Sequence, residues 1–245
     1  MIITNCTWEV DNIGAKTVEI TIESSDKFDA IELNKETDDY DYIVVKVPMG
    51  NIAFNFGLTS LGYTMIETQL KISKQYKQFD FEDRLVRQIY PHVTSCPVET
   101  EEGLVDVLSK ITPDMFSTDR IYLDNHFSHE KSARRYRNWI RTEFYRGTSV
   151  LSHIFYNGDN VGFGFGQIKG DTHIGLLGGV YEAYQNQGLG LMTACTDFIV
   201  SHKVNRPFKV MRTSISSNNT PMLQFYNYLN FKIDNLFYVY VKHNK

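Results

Sequence analysis

The sequence predicts an α/β protein built on a mixed sheet, on three observations. Between residues 129 and 242 the apolar residues switch between helical and strand spacing in the order helix, three strands, helix, strand, helix, strand. Strands joined by short turns meander antiparallel, whereas strands joined through a helix need the crossover of a parallel pair, so one sheet must hold both pairings. The third observation is a faint internal repeat, in which part of the first half copies the last two strands and the helix between them. A chain of 245 residues, 42% hydrophobic and 22% charged, is long enough for one large domain or two modest ones with a sizeable core.

Taken in order, the first quarter reads as strands and turns. "KTVEITIE" (16–23) alternates as a half-buried strand does, and "YDYIVVKVP" (40–48) is a second strand closed by Pro48. A helix over 51–61, Gly62 and a strand "YTMIETQLKIS" (63–73) follow. Residues 74–115 are polar and mixed, with Pro91, Pro97, Pro113 and a short helix around 103–110, which puts the division between an N-terminal domain (1–115) and a C-terminal domain (116–245). In the second domain, Ala133, Tyr136, Ile140 and Phe144 have the spacing of an amphipathic helix ended by Gly147. "TSVLSHIFY" and "VGFGFGQIK" flank "NGDN" (157–160) as a hairpin, and "KGD" (169–171) turns the chain into "THIGLLGGV" (172–180). A glycine-bearing loop, a helix to about His202, a strand 208–215, a helix 219–229 and a strand 231–242 complete the order. Aligned on their last strands, the repeat sets Asn51 on Asn219, Leu61 on Leu229, Gly62 on Asn230 and Tyr63 on Phe231.

A net charge of −4 and a pI near 6.0 argue against a broad attraction to nucleic acid. Cys6, Cys96 and Cys195 are odd in number and widely spaced, which fits a reducing compartment rather than a disulfide framework or a zinc site. Residues 1–10 lack the pattern of a signal peptide and no apolar run approaches membrane-spanning length, so a cytoplasmic protein without a membrane partner is expected. "HFSH" (126–129) has an i, i+3 histidine spacing, but with no carboxylate or thiol ligand marked beside it no metal is expected.

Chemistry concentrates in "AYQNQGLGLM" (183–192). A strand precedes it and a helix follows, and the N-terminus of a helix offers unpaired N–H groups and a partial positive charge to an anion. Gly188 and Gly190 would let the backbone approach a ligand closely. No Gly-Lys-Ser/Thr follows, and Thr193 stands where the third glycine of a dinucleotide fingerprint belongs. In "NNTPMLQFYNYLNF" (218–231), Asn219 is an N-cap, Pro221 lies in the first turn, and Met222, Phe225, Tyr226 and Leu229 share a face.

With these residues the C-terminal half resembles a GNAT-type acyl-CoA N-acetyltransferase. That family's phosphate loop, Q/R-x-x-G-x-G/A, stands here as Gln185, Asn186, Gln187, Gly188, Leu189, Gly190, and its later Asn, Tyr and Gly-Phe signature as Asn219, Tyr226 and Asn230-Phe231. The resemblance covers roughly 117–243, without the proline often found before the loop and with Asn230 in place of the usual glycine. Within the superfamily the likeness is nearest to the dTDP-fucosamine acetyltransferases, through "STDRIYLDNHFS…YRNWI" (117–140) and through an N-terminal half shaped like a truncated acetyltransferase domain. Leu58 takes the place of Tyr226 in that half, and no glycine loop precedes it, so it should be catalytically silent.

The resemblance implies acetyl transfer from acetyl-CoA to the 4-amino group of a dTDP-linked dideoxy sugar. The loop amides of about Gln187 through Leu191 to Met192 would hold the pyrophosphate, with Gln185 and Asn186 also binding the cosubstrate. Gly179 and Val180 would meet the pantetheine arm and thioester, Asn219 and Phe225 would anchor the cosubstrate, and Tyr226 would protonate the leaving thiolate. Arg120, just before an expected strand, and Glu182 are assigned to the acceptor. The general base stays open among Glu182, Asp119, His126, His173 and a water chain. So does the role of Lys131, Arg134, Arg135, Arg137 and Arg141 on the basic helix. Another small amine, an amino acid, a polyamine or a protein N-terminus is an alternative acceptor, and a non-catalytic acyl-CoA-binding module an alternative function. Exposed strand edges allow a homodimer.

Overall fold

A computed structural model of the chain describes residues 1–244. The chain runs β1 (Ile2–Asn5), α1 (Glu9–Ile13), β2 (Thr17–Thr21), α2 (Ala30–Thr37), β3 (Tyr42–Pro48), α3 (Ile52–Ser60), β4 (Thr64–Gln75), α4 (Arg84–Ile89), β5 (Val93–Pro97) and α5 (Glu101–Ser109). It continues through α6 (Arg120–Leu123), α7 (His129–Arg146), β6 (Val150–Tyr156), β7 (Asp159–Lys169), β8 (Thr172–Val180), α8 (Gly190–Lys203), β9 (Val210–Ser216), α9 (Thr220–Tyr228) and β10 (Lys232–His243). Ten strands form one mixed α/β sheet in the order β1-β2-β3-β10-β4-β9-β8-β7-β6-β5. Only β2–β3 and β8–β9 are parallel, each joined by a helix-bearing crossover. Among the described residues no helix is long and apolar enough to cross a membrane.

The repeat seen in the sequence is a repeat of hydrogen bonds. Asn51 and Asn219 both stand at the N-cap with near-equal torsions (φ −82°, ψ 76° and φ −89°, ψ 66°). At the other end Tyr63 N–H donates to Leu58 O (3.0 Å) as Phe231 N–H donates to Tyr226 O (2.9 Å). The residue between turns left-handed in both copies, at Gly62 (φ 82°) and Asn230 (φ 55°), and asparagine tolerates that region best after glycine. The two strand–helix–strand units then exchange their second strands. Strand β4 pairs with β9 of the other copy, β10 pairs with β3, and β4 and β10 pair with each other along the centre.

Helices cover both faces. Leu33 of α2 and Phe54 and Leu58 of α3 bury against Val18, Ile20, Val45 and Val47, while Leu191, Met192, Cys195 and Phe198 of α8 bury against Ile154, Val161 and Met211. On the opposite face Ala133 and Ile140 of α7 pack on Leu151, Phe163 and Phe165, and Ile13 and Ile121 pack on Tyr42, Val44, Val239 and Val241. Neither sheet nor core breaks at residue 115. Strand β5 pairs with β6, and Leu104, Val107 and Leu108 of α5 belong to the α7 cluster.

Several elements correct the sequence reading. The first quarter holds helices α1 and α2 besides its strands, α4 and β5 lie within the polar stretch, and the strand expected after Arg120 is the helical turn α6. Three of these four helices start on an aspartate whose side chain accepts backbone N–H groups. Asp29 takes Ile31 and Glu32 (2.8 and 3.1 Å), Asp83 takes Leu85 and Val86 (2.8 and 3.1 Å), and Asp119 takes Ile121 (3.0 Å). Such caps start helices in segments too short and polar to show a periodic apolar face. The hairpin is tighter than "NGDN", with Asn157 (φ 54°) and Gly158 (φ 90°) alone forming the turn between paired Tyr156 and Asp159.

Candidate active site

The site begins where two neighbouring strands part. β8 and β9 pair only from Thr172–Val210 to Gly175–Thr213, yet β8 runs on to Val180 and β9 to Ser216. On its other edge β8 stays paired to β7 as far as Gly162–Val180, with Leu176 as the extra residue of a bulge between Gly175 and Leu177. A bulge adds local twist, which turns the end of β8 away from β9. Tyr181 N–H bonds Val161 O on the β7 side, so by alternation Val180 and Gly178 direct their N–H groups to the open edge. No residue of β8 is buried, although the strand lies inside a ten-stranded sheet.

A cleft of about 1250 Å³ passes through this gap. Thr193, Thr196 and Asp197 of α8 and Asn219 and Tyr226 of α9 wall it on one face of the sheet, and Glu67, Arg120, Tyr136 and Trp139 on the other. It can therefore receive one molecule from each face and bring them together at the parted strands.

Beyond Val180 the chain makes a short 3-10 turn (Glu182–Tyr184) and an exposed loop. Two glutamines brace it, Gln185 Nε2 donating to Val180 O (3.2 Å) and Gln187 Nε2 to Ala183 O (3.1 Å). Asn186 (φ 61°) and Gly188 (φ 75°) take left-handed torsions. Helix α8 starts with no side-chain cap, unlike α2, α4, α5 and α9, and the first N–H of its ladder is that of Thr193, to Leu189 O (3.2 Å). Among the described residues no hydrogen bond occupies the backbone N–H groups of 186–192, the arrangement that suits an anion. Leu191 and Met192 bury their side chains, so the main chain alone is on offer there. Gly190 is glycine for a reason unlike the expected one. A Cβ there would lie 2.4 Å from the ring of Phe225, so the residue admits α9 against α8, and Phe225 is the packing partner rather than a wall of the cleft.

Tyr226 is half-buried on α9 with its ring 4.8 Å from that of Phe231. Burial pushes its hydroxyl above the ordinary tyrosine range and the Asp197 carboxylate adds to this, against a smaller opposing effect of its hydrogen bond with Thr213. It therefore stays protonated. Asp197, with its Oδ2 3.5 Å from His173 Nδ1, is itself raised by burial. Asn219 lines the cleft while its Oδ1 accepts the Met222 N–H (3.3 Å) as the cap of α9.

Of the residues assigned to the acceptor, Arg120 enters the cleft wall, 9% exposed, with its Nε unpartnered. Glu182 is exposed in the 3-10 turn, outside the residues that line the cleft. Most of the basic helix is engaged within the protein. Arg134 Nε donates to Asn12 O (2.8 Å), Arg135 Nε to Glu9 (2.6 Å), and Arg137 to Ile111 O (2.9 Å) and to Glu130. His126 and His129 do not converge. His129 stacks on Tyr122 (3.7 Å), whereas His126 and His243, stacked at 3.9 Å, both reach buried Asp124. Sequence reasoning missed Glu67, Asp197 and Glu19. The signal for Glu19 and Glu67 was a carboxylate inside a β-patterned stretch, "KTVEITIE" and "YTMIETQLKIS".

No family model and no curated protein matches the sequence. In structure the chain is similar to a GCN5-related N-acetyltransferase from Sphaerobacter thermophilus (TM-score 0.53, 10% identity), over 82% of this chain and 59% of that one. It is similar as well to a tandem GNAT protein from the clavulanic acid biosynthesis pathway (TM-score 0.56, 11% identity, 94% of this chain and 76% of that one). The chain has a GNAT fold. A conserved protein of unknown function from Staphylococcus epidermidis ATCC 12228 shares it over 94% of this chain and 85% of its own, at TM-score 0.60 and 14% identity. In this GNAT fold the exchanged strands β4 and β10 make one continuous sheet of the two copies.

Proposed function

We propose that the protein is an N-acetyltransferase that moves an acetyl group from acetyl-CoA to a primary amine, with a dTDP-linked amino-dideoxy sugar as the acceptor to which the sequence resemblance points. The observation that carries this reading is the open edge of β8 leading, through one short exposed loop, to the uncapped start of α8. An extended arm ending in a diphosphate matches it along its length. The amide edge at 178–180 pairs with the pantetheine, and the N–H groups of 186–192 receive the pyrophosphate.

The chemistry follows from where the polar groups stand. The Val180 N–H on the open edge donates to the thioester oxygen as charge develops there. The amine enters from the α7 face of the cleft, its lone pair forms the C–N bond, and the C–S bond breaks. The departing thiolate takes the Tyr226 hydroxyl proton. Burial holds the Tyr226 hydroxyl above the ordinary tyrosine range, so it is a weaker acid than a thiol near 8.5. The transfer relies on its placement against the departing sulfur and on the Thr213 hydrogen bond that opposes the rise.

The test is CoA release from acetyl-CoA with dTDP-4-amino-4,6-dideoxygalactose and a panel of other amines. Tyr226→Phe should keep acetyl-CoA affinity in calorimetry and lose about 10²-fold or more in turnover, as for a removed general acid. Binding of acetyl-CoA with no turnover on any amine would leave a binding module instead. Transfer to other amines but not to the sugar nucleotide would discard the acceptor and retain the reaction.

A further inference from the structure

The α7 side of the cleft holds a buried to half-buried charge cluster of four carboxylates and three cations, and their pairing is uneven. Arg135 Nε lies 2.6 Å from Glu9 Oε1. Lys46 Nζ lies 2.6 Å from Glu19 Oε1, and Arg120 Nη2 lies 3.7 Å from the other oxygen of Glu19. Asp119 accepts from Ser132 Oγ (3.1 Å) and Tyr136 Oη (2.9 Å). The fourth carboxylate is Glu67. It is 8% exposed, it lines the cleft, and among the described residues it forms no ion pair, its hydrogen-bond partner being the Ser216 side chain. A buried carboxylate without a counter-ion is costly and needs a reason.

The exchange of strands puts it there. Glu67 stands opposite Val239 of β10, which stands opposite Lys46 of β3, so Glu67 shares a face with Lys46 but lies a full strand away from it. On its other side β4 holds the turn that leads into α9. Ser217 N–H donates to Thr68 O (2.8 Å), Thr68 N–H to Ser217 Oγ (2.9 Å), and Asn218 Nδ2 to Ile66 O (3.2 Å). Glu67 is thereby fixed beside the start of the helix that carries Tyr226, at the cleft opening opposite α8.

Resting on the acetyl-transfer reading above, we propose that Glu67, supplied by the N-terminal copy, receives the ammonium of the acceptor and takes its proton. The copy without a glycine loop then serves catalysis through one strand, and acid and base come from different copies. The atoms balance as follows. Glu67 accepts one proton from the ammonium, the neutral nitrogen bonds to the acetyl carbon, and sulfur leaves with the proton of Tyr226. The nitrogen sheds a second proton, which restores Tyr226 through solvent, so amide, thiol and one proton delivered through Glu67 are the products.

Burial holds the Glu67 carboxyl above the usual carboxylate range, with Asp119 acting in the same direction and the Ser216 hydrogen bond, Arg120 and Lys46 opposing. Glu19 from β2, Glu9 from α1 and Arg135 and Tyr136 from α7 complete the charged and titratable surroundings. A base so raised takes its proton at a higher pH than an ordinary carboxylate as the solution is acidified. Amine-dependent kcat/KM should fall as it does so, with a limb that belongs to Glu67.

Hydroxylamine, already neutral at pH 7, separates proton removal from the rest of the reaction. CoA release is measured with hydroxylamine and with primary amines (dTDP-4-amino-4,6-dideoxygalactose, ethanolamine, lysine, spermidine) for wild type, Glu67→Gln and Glu67→Asp, beside acetyl-CoA calorimetry. Glu67→Gln should lower the ratio of amine-dependent to hydroxylamine-dependent release by about 10²- to 10⁴-fold and erase the acid limb, as removal of a general base does. Glu67→Asp should recover part of the ratio. An unchanged ratio overturns the proposal, as does a parallel loss of both rates together with acetyl-CoA binding, or a wild type active with hydroxylamine and with none of the amines. A wild type that binds no acetyl-CoA overturns instead the reading on which the proposal rests.

Discussion

Gly188 and Gly190 are two positions apart and are glycines for different reasons. Gly188 needs its left-handed torsion (φ 75°) and has open space where a Cβ would point. Gly190 has ordinary torsions and no space, with the Phe225 ring 2.4 Å from an added Cβ. Alanine at 188 should cost about 1–2 kcal/mol through the backbone, and asparagine at 188 should cost less because it tolerates that region. Alanine at 190 should cost about 1–3 kcal/mol through overpacking, and Phe225→Leu should relieve that loss while leaving the loss at 188 in place. Urea midpoints of the single and double variants decide it, since coupling is expected for the 190–225 pair alone. The glycine motif was legible because its spacing is local. The reason for Gly190 was not, because Phe225 reaches it only through the packing of two helices. Glu67 was illegible for the same reason, its setting being assembled from α1, α6, α7, β2, β3 and β9.

At the scale of elements, short polar helices hang on single aspartates, and one aspartate ties an element end to the sheet. Asp124 follows α6 and is buried. It accepts from His126 N–H (3.1 Å), His126 Nδ1 (3.0 Å) and, across the fold, His243 Nε2 (2.8 Å) at the end of β10. Burial alone would raise its carboxyl, but these donors together hold it below the usual range. A folded-state value below the unfolded one means that Asp124 stabilises the protein above the unfolded value, about pH 3.9. That contribution is lost as pH falls further through the folded value. Asp124→Asn should therefore lower stability at neutral pH and make the acid side of the stability curve shallower, as read by urea unfolding at a series of pH values. A curve as steep as wild type would show that other carboxylates set the acid response. The long periodic elements, α7 and the β6–β7–β8 meander among them, were readable in sequence because their own residues carry the period. Of the helices missed, α2, α4 and α6 are those whose start rests on a cap rather than on an apolar face, while the short α1 has neither a long face nor a side-chain cap.

At the scale of the whole molecule, the repeat was visible and the exchange of strands was not. A strand's alternation records which face is buried and is indifferent to which neighbour supplies its hydrogen bonds. The alternation of "FYVYVKH" (237–243) in β10 would serve equally beside β9, within its own copy, or beside β3, where it lies. The difference governs how the protein can be cut. A fragment of residues 116–245 keeps the glycine loop, Asn219 and Tyr226, and would suffice if the C-terminal copy were self-contained. In the exchanged arrangement it deprives β10 of both its neighbours and β9 of one, and uncovers Val239, Tyr240 and Val241, each at most 5% exposed in the full chain. It also removes β5 and α5, against which Leu151 and Ile140 bury. Exposed edges and uncovered apolar residues of this kind favour aggregation over folding. The full chain should accordingly unfold in one transition by circular dichroism and calorimetry alike, and the fragment should neither show that transition nor bind acetyl-CoA. A fragment that folds and binds acetyl-CoA as the full chain does would mean that β10 can close onto β9 unaided. The central pairing of β4 with β10 would then be dispensable for the cosubstrate side of the cleft, and its remaining consequence would be the delivery of Glu67 to the acceptor side.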